Sequence, residues 1–130
     1  MKYAHSDWRH GLFYLGLALL AGHELDAVAR HEWRLLPVLN LLDDETGQMV
    51  FILAHLPLFA ALFWLTGHQS LKIRNWSQLG VDGFLIFHGA LHYALSGHPL
   101  YEFTAPVETI TVYGGGIVGA VHLALTLRGR

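Results

Sequence analysis

The apolar run Leu12-Phe13-Tyr14-Leu15-Gly16-Leu17-Ala18-Leu19-Leu20-Ala21 passes without a break into His23-Glu24-Leu25-Asp26, so one helix is expected to carry both. Three ionisable side chains then lie where lipid is expected. A charge near the bilayer centre costs on the order of 2.5–3.5 kcal/mol, so such groups face a bundle interior and have a partner or a task.

Four apolar segments of this kind fill the 130-residue chain: Arg9–Ala29, Met49–Gly67, Leu79–Gly97 and Pro106–Leu127. Each approaches the roughly 17–25 residues of a spanning helix. Charged residues make up 14% of the chain, against about 25% in soluble domains. The expectation is all-α: a bundle of four transmembrane helices forming a single integral membrane domain.

Lys2 and Arg9 before an apolar stretch also resemble a secretory signal. No Ala-x-Ala site closes it and three spans follow, so it is read as the first transmembrane helix. Four spans collect Lys2, Arg9, Lys72, Arg74, Arg128 and Arg130 on one side and leave Arg30 and Arg34 on the other. The positive-inside rule then places both termini in the cytoplasm, in a bacterial inner membrane. The net charge of −2, without a basic tail, gives no nucleic-acid footprint.

With no cysteine, thiolate ligands and iron–sulfur clusters are excluded, and any metal must be held by the ten histidines, by carboxylates or by backbone. Running the helices alternately up and down at about 1.5 Å per residue places His23 and His55 about 21 Å above the cytoplasmic face, His92 at about 20 Å and His88 at about 14 Å. Asp26 and Glu108 fall near 26 Å on the same ruler. The layer suggests a metal site of His23, His55, His88 and His92 in the outer half of the bilayer, with Glu24, Asp26 and Glu108 as proton acceptors or ligand-orienting groups. His88 and His92 are four apart on one helix face, the spacing that offers two imidazoles to one ion.

Imidazole and carboxylate without thiolate favour zinc or iron over soft copper(I). Such a site, surrounded by apolar residues, points to a metal-dependent enzyme, hydrolase or oxidoreductase, acting on a lipid-like or other apolar small molecule. Two alternatives remain open. Histidines on facing helices could hold a b-type haem for electron transfer, or the polar groups could belong to a non-catalytic ion-conducting or accessory subunit. Oligomerisation is left open.

Other polar residues have plainer readings. His31, Glu32 and Arg34, with Trp33, read as an interfacial helix end that keeps helical spacing to Pro37. Asp43-Asp44-Glu45-Thr46-Gly47 reads as a solvated acidic turn, and Thr66–Ser77 as a polar connection. Asp82 and His122 are expected to pair structurally. Gly115-x-x-x-Gly119, on a stripe with Glu108, Val112 and His122, allows close helix approach and turns Glu108 inward.

The paired motifs His-Glu-Leu-Asp-Ala (His23–Ala27) and His-Glu-Trp-Arg-Leu-Leu-Pro (His31–Pro37) resemble a family of small, uncharacterised bacterial four-helix membrane proteins. That resemblance implies topology and no activity. The His88-x-x-x-His92 pair is also similar, over one helix, to seven-helix ceramidase and receptor-like membrane hydrolases.

Overall fold

The computed structural model describes residues 4–129, with side chains from Trp8 onward. The N-terminal lead with Lys2 and Tyr3, and Arg130, lie outside the described residues. Four long helices account for most of the chain: α1 (Ala4–Ala29), α2 (Asp44–Thr66), α3 (Leu71–Leu95) and α4 (Pro106–Arg128). No strand occurs among the described residues. Three helices, α1, α2 and α4, are long and apolar enough to cross a membrane. Helix α3 is as long, but it carries Lys72, Arg74, Gln78 and Asp82 in its first half.

Two segments expected as connections are helix starts instead. Asp43 caps α2 by accepting the Thr46 backbone N–H at 3.0 Å, and Asp44 and Glu45 occupy the first turn. Carboxylates are favoured there by the unsatisfied N–H groups and the positive end of the helix dipole. Residues 71–77 likewise form the first two turns of α3 rather than a loop.

Helix α4 opens with Pro106, whose missing N–H costs nothing at a helix start. It contains one π-helical segment, Thr109–Tyr113, before resuming as α-helix at Gly114.

Lipid is as apolar as leucine, so close packing and interior polar contacts must hold such a bundle together. Glycines on α4 supply the closest approach. A Cβ on Gly119 would lie 3.0 Å from the Asp82 carbonyl oxygen and 3.1 Å from the Leu85 Cβ on α3. Phe13 and Leu20 of α1 pack there with Val81 and Leu85. Helix α2 lies more peripherally, and its Leu56, Phe63 and Trp64 are exposed.

The connection after α1 departs from the expected interfacial helix end. His31 adopts left-handed backbone angles, φ 54° and ψ 43°. This reverses the chain and folds a single 3-10 turn, Glu32–Arg34, back into the bundle. Trp33 and Glu32 are therefore buried within the bundle, not at the end of a continuing helix. Trp33 seats over Gly47, where a Cβ would approach its ring to 2.8 Å, and donates its indole N–H to Asp44 Oδ1 at 3.2 Å. Around it gather Ala27, Phe51 and Phe103.

Candidate metal centre

Four side chains meet beneath that reversed turn: His23 from α1, Glu32 from the turn, and His88 and His92 from α3. All four are buried, and one ligand atom from each lies within 4.8 Å of the others. His23 Nε2 is 3.0 Å from His88 Nε2 and 3.1 Å from Glu32 Oε2, while His92 Nε2 is 3.9 Å from Glu32 Oε1. A tetrahedron with metal–nitrogen bonds of about 2.0–2.1 Å has edges of about 3.3–3.4 Å, so a group whose ligand atoms spread up to 4.8 Å would draw together around an ion.

Proton counting supports a cation here. His23 Nε2 faces both a nitrogen and a carboxylate, and one N–H cannot serve both. A positive ion among the four donors would engage three imidazoles and a carboxylate together.

Burial pushes the Glu32 carboxyl up, but the contact with His23 and the proximity of the other imidazoles outweigh it and hold the group below its ordinary range. It is thus available as an anionic ligand.

The surroundings fix the rings. His92 Nδ1 is 3.0 Å from the Tyr101 hydroxyl, an outer contact of the kind that orients metal-bound imidazoles. Burial, with the neighbouring Tyr113, pushes the Tyr101 phenol up, so it stays a neutral O–H. Phe103 covers His92 edge-on at 4.8 Å between ring centroids and lies 5.5 Å from His23.

Of the expected metal ligands, the structure brings together His23, His88 and His92 and sets His55 apart. His55 Nε2 pairs with Glu24 Oε2 at 2.8 Å, and its Nδ1 is 2.6 Å from the Phe51 carbonyl oxygen. Asp26 and Glu108 are also outside the group of four. Arg30 Nε lies 2.9 Å from Glu108 Oε1 and 3.4 Å from Asp26 Oδ1, tying α1 to α4. Asp82 and His122 pair at 2.7 Å, both buried.

Sequence reasoning missed Glu32 and Tyr101. Glu32 was read as part of a continuing helix end, whereas it lies on a separate 3-10 turn, and Tyr101 sits in a loop.

Fold and site together define an all-α protein with three helices suited to a membrane and a buried three-histidine, one-glutamate group able to hold a metal ion. The chain belongs to the family of unknown function DUF6713, whose model matches residues 9–129. No curated protein and no solved structure matches it.

Proposed function

We propose that this chain is an integral membrane metalloprotein whose four helices all span a bacterial inner membrane, both termini cytoplasmic, with a divalent ion held by His23, Glu32, His88 and His92. The convergence of three imidazoles and one carboxylate in a buried interior carries the reading. The polar α3 suits a span packed among other helices, since its Asp82, His88 and His92 are all buried. The basic residues gathered at one end favour that orientation.

Zinc and iron are the ions this donor set favours. Four protein donors complete tetrahedral zinc, whereas iron accepts further ligands and leaves room for chemistry. An enzyme transforming an apolar, membrane-dissolved substrate therefore calls for iron, and zinc at this centre would be structural. The haem alternative is disfavoured. The three imidazole centroids lie 4.6–4.8 Å apart, with His23 edge-on to the other two, which leaves no slot for a flat macrocycle.

Elemental analysis of detergent-purified protein, grown with zinc and iron supplied, tests this. About one ion per chain is expected, lost in His23→Ala and His88→Ala. A folded wild type free of metal, or one showing a Soret band, would overturn the reading.

A further inference from the structure

The four donors are buried, so an ion reaches them only if part of their cover moves. Two apolar grooves lie beside the seam of α1 and α2, lined by residues such as Phe51, Phe59, Leu62 and Phe84 and by none of the four donors. At the end of the bundle where α1 stops and α4 begins, the cover is a strap, residues 96–105, between α3 and α4. Its Tyr101 contacts His92, and its Phe103 covers both His92 and His23.

The strap is held by side chains. Among the described residues, its backbone hydrogen bonds run within it or to the helix ends beside it, as from Tyr101 N–H to the His98 carbonyl and from Thr104 N–H to that of Glu102. Glu102, between the two aromatic residues, reaches across to the turn that supplies Glu32. Its Oε2 is 3.0 Å from His31 Nδ1, and its Oε1 accepts from Arg34 Nη1 at 3.3 Å. One carboxylate thus ties the segment covering the histidines to residues on either side of the fourth donor. The side chains of Glu102 and His31 are each 37% exposed and that of Arg34 is 30% exposed. Ion pairs this open contribute little and weaken as salt rises.

We propose that Glu102 is the clasp of a gate, and that the ion enters and leaves when residues 96–105 part from the Glu32–Arg34 turn and lift Phe103 and Tyr101 off His23 and His92. Opening here undoes exposed pairs and ring contacts and unwinds no helix, whereas a path between α1 and α3 would divide the packing of Phe13 and Leu20 on Val81 and Leu85. The inference rests on the metal reading above and adds the route by which the centre fills.

The test is stopped-flow exchange of zinc between the full chain in detergent and a chromophoric chelator. A gate lowers the barrier in both directions, so Glu102→Ala should speed capture and release alike, each about tenfold, with affinity nearly unchanged. A residue that only braces the fold would speed release and weaken binding. Raising salt from about 0.05 to about 0.5 M should speed both steps in the wild type and leave Glu102→Ala indifferent. Hydrogen exchange of the metal-free chain reads the clasp without an ion: the amides of Tyr101 and Thr104 should exchange faster in Glu102→Ala, and those of α3 should not. Faster release with slower capture, wild-type rates that ignore salt, or unmoved exchange at Tyr101 and Thr104 would overturn the proposal. The salt arm needs no variant to fold. A wild type that takes up no ion fails the metal reading itself, whereas one that binds zinc with rates indifferent to Glu102 fails the gate alone.

Discussion

His23 Nε2 and His88 Nε2 stand 3.0 Å apart in the bundle interior, on helices that are not neighbours in the chain. An ion held between them, as proposed, would join α1 to α3. Ligands that bind only the folded state stabilise it, by about 2.7 kcal/mol at one hundred times the dissociation constant. Chelation should therefore lower the unfolding midpoint of the wild type and leave that of His88→Ala unmoved, as thermal denaturation in detergent will show.

Tyr101 reaches the centre through His92 Nδ1. Tyr101→Phe keeps the ring against Phe103 and deletes the contact that orients the imidazole. Metal affinity should fall about 10–100-fold with helical content intact. Competition with a chromophoric chelator measures it.

Arg30 answers both Asp26 and Glu108, and Glu108 is 2% exposed. Arg30→Met would leave a buried carboxylate without its cation. The expected loss is about 3 kcal/mol, the low end for a broken buried pair, because Arg30 itself is partly exposed. Double substitution with Glu108→Gln should recover much of it. Equal unfolding midpoints for the single and double variants would contradict this account.

Gly47 makes room for Trp33, whose neighbour Glu32 is a proposed ligand. Gly47→Val puts branched carbon where the indole lies, in a packing that cannot give without moving the turn. Metal affinity should drop although the substitution touches no ligand. Near-ultraviolet circular dichroism would register the displaced tryptophan.

The Thr46 N–H holds the Asp43 carboxyl below its ordinary range. A depressed carboxyl stabilises fully above its unfolded value of about 3.9 and loses that contribution as pH falls through the folded one. Protection of the first α2 amides from hydrogen exchange should decline below about pH 4. Asparagine caps as well without titrating, so Asp43→Asn should show a flatter profile.

Hydrophobic runs and spacing made the four helices legible, along with the shared face of His88 and His92 and the close approach at Gly119. The height ruler also put His55 level with His23, yet height along a helix says nothing about rotation around it. His55 turns toward Glu24 across the seam instead of into the group. Glu32 was hidden for another reason. Its burial depends on one left-handed residue, His31, and a non-glycine side chain at positive φ leaves no periodic trace. The same limit concealed Tyr101, which reaches His92 from a loop.

The sixty-five residues separating His23 from His88 have a consequence for biogenesis. While the first two hydrophobic segments leave the ribosome, the centre has only half of its donors, and it cannot close until the third helix has entered beside the first. With an ion held as proposed, its capture would have to wait for α3: a chain stalled after α2 would present unpaired imidazole and carboxylate where the folded bundle buries them.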